Sequence, residues 1–307
     1  MTQDTDITIL TDSRYVDPPG NDPYVTNILH EERLVREALE ESGLRVSRIN
    51  WDHAGFDWSG TKYILFRSTW DYFERFREFW DWLQTVRYQT AMINPYRTIL
   101  WNLDKRYLGD LANQGVHIPP TRFIEKGDSR SLEQIIGETG WEEVILKPVV
   151  SGAARHTYRF SPGQVPAHEP VFRELIRQEA MMIQEFQHQV LTRGEVALMV
   201  FGGKFTHAIL KKAKEGDFRV QDDFGGTVTL YEPTPGEIQF AEQVVSLCNP
   251  VPLYARVDAI WDNQNRLAVS ELELIEPELW FRFNPVAAKH LAAAIVNHMK
   301  DSTTHQS

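Results

Sequence analysis

The chain is poor in cysteine and in long apolar runs. Its 307 residues include one cysteine, Cys248, so no intrachain disulfide bond can form, which suits a reducing compartment. No apolar run approaches the roughly 18 to 20 residues that a membrane-spanning helix needs. The first residues, MTQDTDITIL, are acidic and lack the basic and apolar regions of a signal peptide. We therefore expect a cytoplasmic protein without a membrane partner.

Positive charge is also scarce. The chain has 32 lysines and arginines against 43 acidic residues, a net charge of −11 and a pI of about 5.4. This balance argues against a nucleic-acid or membrane-surface partner, because both are anionic. It does not exclude a nucleotide, whose site needs only a local basic cluster. With 42% hydrophobic and 11% aromatic residues, a chain of this length can build two or three lobes.

The first 94 residues alternate between strand and helix patterns. Residues 5–12, 46–51 and 63–68 predict strands, and residues 27–42 and 71–90 predict helices. Gly43 is placed to end the first helix, and Phe73, Phe76, Trp80 and Leu83 recur at helical spacing in the second. The strand–helix–strand order indicates an α/β domain with a parallel sheet.

A second unit begins near residue 95, and the pattern becomes β-rich after Gly194. We predict domains at 1–94, 95–190 and 191–307. The later elements are expected as a helix at 103–114 ended by Gly115, strands at 144–149 and 182–186, the strands EVALMVF and KFTHAILKKA, a polar loop KEGDFRVQDDFGG, a helix at 236–248, a hairpin at 253–276 and a helix at 285–299.

The predicted hairpin carries an acidic face. Arg256 and Asp258 share one face of its first strand, and Glu271 and Glu273 share one face of its second. A loop at 263–266 would set Asp258 opposite Glu271 and Arg256 opposite Glu273. This register puts both apolar sets in one core, whereas a slip by one residue would bury the acids.

Three neighbouring carboxylates repel one another unless a cation offsets their charge. Oxygen ligands without nearby histidine or cysteine favour Mg²⁺ over Zn²⁺. The alternative is a solvated strand face on which Arg256 neutralises Asp258, Glu271 and Glu273. The residues alone leave both interpretations open.

Several basic residues precede the hairpin. Lys147 lies in an apolar strand, VILKPV, where it either points into a cleft or extends to solvent. Ser151 and Gly152 follow in a run of small residues that would let backbone N–H groups approach a phosphate. Lys105 is either a site residue or a surface lysine. A basic run beyond residue 210 is either a solvated loop or a mobile lid over phosphate; it comprises Lys211, Lys212, Lys214 and Arg219.

Taken in order, these features resemble the ATP-grasp superfamily, and within it the glutathione-synthetase-like ligases. QEF followed by RGEVALMVFGGKFTHAILKKAKEGDFRV is similar to the same stretch of the ribosomal-protein glutamate ligases. FRSTWDY, NLDKRYL and RVD…ELELIEPELWF also resemble the ligases that close the cycloserine ring from an O-ureidoserine precursor. The resemblance covers about residues 95–300 and implies an ATP-grasp fold with an N-terminal parallel-sheet domain.

The resemblance also implies ATP and Mg²⁺ as cofactors, and a role for each matching residue. Lys105 and Lys147 would contact the phosphates, with Ser151 and Gly152 in the adjoining loop. The backbone around Gln184, Glu185 and Phe186 would meet adenine, and Glu195 the ribose. Lys212 and Arg219 match basic residues near the phosphates or the acyl substrate, and Arg256 would stabilise the acyl phosphate. Asp258, Glu271 and Glu273 would hold two Mg²⁺ ions. Glu273 departs from the usual asparagine, which leaves the number of metal ions open.

We therefore expect an ATP-dependent carboxylate–amine ligase or cyclo-ligase that forms an acyl phosphate on a small amino-acid-like carboxylate. Its partners would be small-molecule carboxylate and amine substrates, with a homodimer among the oligomeric options. The alternatives are a non-catalytic nucleotide-binding regulatory protein and a peptide-tailoring ligase. Cys248 is expected to be a buried structural thiol.

Ligands of parallel α/β sheets bind beyond the carboxyl ends of the strands. Asp12, Ser13, Arg67, Ser68 and Trp70 fall at such ends. We predict that Arg67 or Trp70 contacts the acyl substrate. The alternative is that Trp70 and the following aspartate only cap the next helix.

Overall fold

The structure is a computed structural model that describes residues 4–20, 22–152, 154–214, 216–220 and 225–304. Three sheets organise these residues, and each sheet falls within one of the three predicted domain ranges. The domain boundaries themselves stay a prediction. No helix among the described residues is long and apolar enough to span a bilayer.

The N-terminal sheet is parallel, as predicted, with strand order β2-β1-β3-β4. Six consecutive residues of β1 are buried, which is typical of a parallel strand covered on both faces. Its elements are β1 (Thr5–Thr11), α1 (Pro23–Glu41), β2 (Val46–Asn50), β3 (Thr61–Ser68), α2 (Phe76–Val86) and β4 (Ala91–Ile93). Asp22 caps α1, and Gly43, at φ +85°, follows its end.

The helix predicted over residues 71–90 is shorter, because residues 69–75 form turns before α2 begins. The buried face of α2 consists of Phe79, Leu83 and Val86. Of the four residues at helical spacing, Trp80 is 36% exposed, and Phe73 lies before the helix and lines a cavity.

The central sheet is antiparallel, with strand order β5-β8-β6-β7. Two short helices replace the predicted helix at 103–114, because the chain turns where the Asp104 carboxylate accepts the Arg106 N–H. This turn places Lys105 between the helices. The elements are α3 (Tyr96–Asn102), α4 (Tyr107–Asn113), β5 (Thr121–Ile124), α5 (Leu132–Gly137), β6 (Val144–Pro148), β7 (Tyr158–Phe160), α6 (Val165–Gln178), β8 (Met181–Glu185) and α7 (Gln189–Arg193).

The C-terminal sheet is antiparallel, with order β11-β10-β9-β12-β13. Its elements are β9 (Glu195–Phe201), β10 (Lys204–Lys212), β11 (Thr227–Tyr231), α8 (Pro235–Ser246), β12 (Tyr254–Trp261), β13 (Leu267–Glu273) and α9 (Ala287–Thr304). The predicted polar loop KEGDFRVQDDFGG lies partly outside the described residues, at 215 and 221–224. Cys248 is 3% exposed within the core of this sheet, as expected.

Strand β13 is an edge strand, and side chains from earlier in the chain bind its free side. The Asn102 amide donates to the carbonyl of Leu272 at 2.8 Å and accepts the N–H of Leu274 at 2.9 Å. The Tyr107 hydroxyl accepts the N–H of Leu272 at 3.0 Å. These bonds satisfy backbone groups that would otherwise be buried without a partner.

Candidate active site

A cavity of about 520 Å³ is lined by strand and loop residues of the central and C-terminal sheets, and by helix and loop residues from the first 94 residues. The acidic hairpin forms one wall. Arg256 pairs with Glu273 and Asp258 with Glu271 across β12 and β13, so the predicted register is confirmed. The solvated-face alternative is wrong for the first strand, because Arg256 is 8% and Asp258 1% exposed.

The three carboxylates of the hairpin converge. One oxygen from each of Asp258, Glu271 and Glu273 lies within 4.8 Å of the others. Burial raises the pKa of Glu273. The guanidinium of Arg256 opposes this rise, and the neighbouring carboxylates add to it. For Glu271, burial is outweighed by the ammonium groups of Lys105 and Lys147, which lower its pKa. An all-oxygen set at this spacing fits Mg²⁺.

Lys105 and Lys147 approach this wall from the central sheet. The Lys105 ammonium lies 3.0 Å from the Glu271 carboxylate and donates to the Ser151 carbonyl at 2.5 Å. Lys105 is 8% exposed, so it is not a surface lysine. Lys147 lines the same cavity, and among the described residues no carboxylate lies within 4.0 Å of its ammonium group. Burial lowers its pKa, and Lys105 adds to this. Lys147 therefore has no carboxylate partner in the described part of the chain, and its amino group is free to contact an anionic ligand in the cavity.

The sequence-based choice of Lys212 needs correction. Successive side chains of a strand point to opposite faces, and in β10 it is Lys211 that faces the cavity and is 4% exposed. Its ammonium lies 2.5 Å from Glu195 and 3.3 Å from Asp258. Lys212 is exposed and does not line the cavity.

Glu195 begins β9 beside this lysine. Its second oxygen accepts the Ser270 hydroxyl at 2.8 Å. The preceding Gly194 has φ +82°, and a Cβ there would lie 2.3 Å from the Lys211 carbonyl. Glycine is therefore required for β9 and β10 to meet at this point.

Arg219 lies on the opposite wall. Its guanidinium lines the cavity and forms a two-pronged bond to Asp217, with the shorter contact at 2.6 Å. The structure thus brings Arg219 to the site.

The predicted adenine contacts lie at the end of β8. The Gln184 amide donates to the Thr121 hydroxyl, while the N–H groups of Glu185 and Phe186 bond to carbonyls of neighbouring segments. The carbonyls of Glu185 and Phe186 already accept from the side chains of Gln187 and Asn263, so this strand end presents chiefly the Phe186 ring to the cavity. That ring lies edge-on to Phe218, with 6.3 Å between centroids, and forms an apolar part of the cavity wall.

Loops and helix α1 of the first 94 residues supply a third wall, but Arg67 is not part of it. The Arg67 guanidinium is 3% exposed and bonds to Glu31 at 2.6 Å and to the Pro277 carbonyl at 2.8 Å. It does not line the cavity, so its predicted substrate contact is not supported.

Trp70 does line the cavity, and its indole N–H donates to the Glu276 carbonyl at 2.9 Å. Neither Trp70 nor Asp71 caps α2, because that helix begins at Phe76 and Asp71 accepts the indole N–H of Trp51. Asp12 is fully buried and holds Arg14, which lines the cavity and was not singled out in the sequence.

Solved structures with this architecture identify the fold. The ATP-grasp ligase PsnB, solved with a phosphomimetic variant of its minimal precursor, Mg and ADP, superposes with a TM-score of 0.62 at 16% identity, over 97% of this chain and 100% of that one. D-alanine–D-alanine ligase from Bacillus anthracis, complexed with ATP, gives 0.63 at 13% identity over 99% and 100%. The predicted ATP-grasp fold is confirmed.

The fold and the relatives together define an ATP-grasp ligase, the class of C–N bond-forming enzyme predicted from the sequence. The chain is similar over most of its length to the cycloserine biosynthesis protein DcsG of Streptomyces lavendulae, with 29% identity over 275 residues, which are 86% of this chain and 92% of that protein. The crystal structure of D-cycloserine synthetase DcsG superposes with a TM-score of 0.82 at 26% identity, over 95% and 99% of the two chains. A family model for the N-terminal domain of this synthetase matches residues 7–94.

Proposed function

We propose that the protein uses Mg-ATP to activate the carboxylate of a small amino-acid-like molecule as an acyl phosphate, which a nitrogen nucleophile then captures. The observation that carries this proposal is the convergence of opposite charges in one cavity. Lys105 and Lys147 meet Asp258, Glu271 and Glu273 there.

The chemistry follows from these charges. A carboxylate oxygen of the substrate attacks the γ-phosphorus of ATP, the bond to the bridging oxygen breaks, and ADP leaves. Lys105 and Lys147 offset the negative charge of the phosphates, so positioning and electrostatics supply most of the rate. Asp258, Glu271 and Glu273 would hold Mg²⁺, which supplies further positive charge when bound.

The second half of the reaction needs a cation near the reacting carbonyl. The nitrogen attacks the acyl carbon, phosphate leaves with the former carboxylate oxygen, and the nitrogen loses a proton. We assign this step to Arg256, whose guanidinium lines the cavity. It is held there by Asp258 at 2.8 Å and by Glu273, and lies 4.9 Å from the Trp280 ring centroid.

Ring closure within one molecule is the form of the reaction that we favour. The chain matches 92% of the length of DcsG, which is named a D-cycloserine synthetase, and cycloserine is a cyclic amide-type product. The peptide-tailoring alternative is favoured by PsnB, whose structure contains its precursor, but that likeness has 16% identity. The test must therefore include product masses.

The experiment is a screen for Mg-dependent phosphate release with small amino acids and their ureido and hydroxylamine derivatives. A product lighter than its substrate by one water indicates ring closure, and a sum of two substrates less one water indicates joining. Glu271→Gln should lose about a hundredfold or more in kcat/KM. The same rate for Glu271→Gln and wild type would contradict the proposal, and ATP binding without turnover across the panel would favour a regulatory protein.

A matched pair of lysine variants tests the site geometry. Lys211→Met should reduce kcat/KM strongly, because it leaves Glu195 and Asp258 without their ammonium partner. Lys212→Met, one residue away and exposed, should stay within about twofold of wild type. Equal losses in the two variants would contradict the assignment of Lys211.

A further inference from the structure

One carboxylate of the cavity wall differs from the three hairpin acids beside it. Glu276 follows β13 and lines the cavity wall. Among the described residues no lysine, arginine or histidine nitrogen lies within 4.0 Å of its carboxylate, whereas Asp258, Glu271 and Glu273 each have a cationic partner.

The position of Glu276 is fixed from the N-terminal sheet. The Trp70 indole N–H donates to the Glu276 carbonyl at 2.9 Å. The next carbonyl, that of Pro277, accepts from Arg67 at 2.8 Å. The side chain of Tyr72 is 6% exposed and lies beside the Glu276 carboxylate. The backbone of Glu276 is therefore held in place at the cavity wall.

Holding a carboxylate there without a cation is unfavourable. Burial raises the pKa of Glu276 to about 7, and this exceeds the opposing effects of Tyr72, Lys105 and Arg256. Buried charges in proteins are normally paired, and a strongly perturbed acid in a cleft marks a functional site. A ligand that brings its own positive charge would supply the missing partner.

The surroundings also suit a cationic group. Trp70 lines the cavity, and its ring is buttressed by Tyr15 and Tyr24, with centroids 6.0 and 6.3 Å away. Aromatic faces attract ammonium groups through their quadrupole. Glu276 is three residues beyond Glu273, so a group held at Glu276 is close to the hairpin at which the carboxylate would be activated.

We propose that Glu276 binds the ammonium group of the substrate, so that the enzyme selects amino acids over carboxylic acids that lack an amino group. This inference rests on the proposed function, and it names the group of the substrate that this part of the cavity binds. Glu276 is thereby a specificity-determining residue, whereas Lys105, Lys147 and the hairpin act on the phosphates.

The test measures binding separately from turnover. The probes are serine and alanine in both enantiomeric forms, with 3-hydroxypropanoate and propanoate as matched acids without the amino group. Titration calorimetry is done on the full chain with Mg²⁺ and a non-hydrolysable ATP analogue. We expect wild type to bind at least one amino acid about tenfold or more tightly than its matched acid. Failure of every amino acid to bind more tightly than its matched acid overturns the inference.

Variants then assign the preference to Glu276. In Glu276→Gln the affinities for the preferred amino acid and for its matched acid should lie within about twofold of each other, chiefly because the amino acid binds more weakly. Glu276→Asp keeps the charge and should retain part of the preference. Glu142→Gln, at an exposed carboxylate that does not line the cavity, should retain all of it. Equal weakening of both probes in Glu276→Gln would indicate a structural role and overturn the inference.

The two proposals fail in different ways. Loss of the amino-acid preference in Glu276→Gln would support the ammonium site, whether or not any probe released phosphate. The absence of phosphate release would count only against ligation. Phosphate release from propanoate as fast as from alanine would support ligation and overturn the ammonium site. Circular dichroism of each variant identifies misfolding, and if Glu276→Gln is misfolded the comparison of wild type with Glu276→Asp decides.

Discussion

Substitution of Asn102 should loosen the acidic hairpin without changing a charged residue. Asn102 bonds to the carbonyl of Leu272 and to the N–H of Leu274, and Leu272 lies between the two acids of β13. Asn102→Ala removes both bonds at once. It should therefore lower both the stability of the chain and the precision with which Glu271 and Glu273 are held.

The magnitude follows from the two backbone groups left without a partner. Each buried group of this kind costs about 1–3 kcal/mol, and the cavity on which Asn102 lies lets water reach part of the gap. We expect a loss of about 2–4 kcal/mol in the free energy of unfolding, or a fall in Tm of roughly 4–10 °C. The Tyr107 hydroxyl still binds the N–H of Leu272, so the strand should stay attached while Mg²⁺ affinity falls about tenfold.

Thermal denaturation and titration of Mg²⁺ in the presence of ADP measure the two effects. Asn113→Ala is the matched control, because Asn113 is exposed at the end of the neighbouring helix α4, and it should change Tm by less than about 2 °C. Asn102→Ala with wild-type Tm and wild-type Mg²⁺ affinity would refute the reasoning.

The strand pattern made the acidic wall predictable from the sequence. Side chains alternate along a strand, and Val257 and Leu272 must share a core, so the register that pairs Asp258 with Glu271 follows from burial alone. The parallel N-terminal sheet follows in the same way from buried runs separated by a helix. In both cases the information lies within a short stretch of chain.

Other parts of the site depend on contacts between distant segments. Tyr72 and Glu276 are more than two hundred residues apart, and no local pattern relates them. Arg67 lies at the carboxyl end of β3, as predicted, but Glu31 and Pro277 occupy its guanidinium. The end of a strand can be located from the sequence, whereas the distant residue that pairs with its side chain cannot.

Lys211 is a different case, because two adjacent lysines match the same role. The family resemblance matches a basic run rather than a face, and Lys211 and Lys212 are equivalent in such a match. Strand geometry puts them on opposite faces, but the residues in phase with them, Ile209 and Ala208, are both fully buried. The pairing of Lys211 with Glu195 across β9 and β10 identifies the cavity face, and this pairing comes from the structure.

Three further predictions concern single side chains. In Gly152→Ala the new Cβ would lie 2.7 Å from the Phe73 ring, so the loop must shift and KM for ATP should rise about tenfold. Adding Phe73→Ala to this variant should bring KM most of the way back to the wild-type value. An unchanged KM in Gly152→Ala alone would refute the contact. Burial raises the pKa of the Cys248 thiol to about 12, so iodoacetamide should modify it only after unfolding, and rapid labelling of the folded chain, seen by mass, would contradict this. Burial also raises the pKa of Glu273, so this carboxyl binds its proton more tightly in the folded metal-free chain than in the unfolded one. Its contribution to the free energy of unfolding should therefore fall as pH rises from about 5 to about 8. Mg²⁺, which requires the ionised form, should oppose that fall, and Glu273→Gln should remove this contribution. Tm measured across this range with EDTA and with Mg²⁺ tests the prediction, and identical pH profiles for wild type and Glu273→Gln would show that the carboxyl ionises normally.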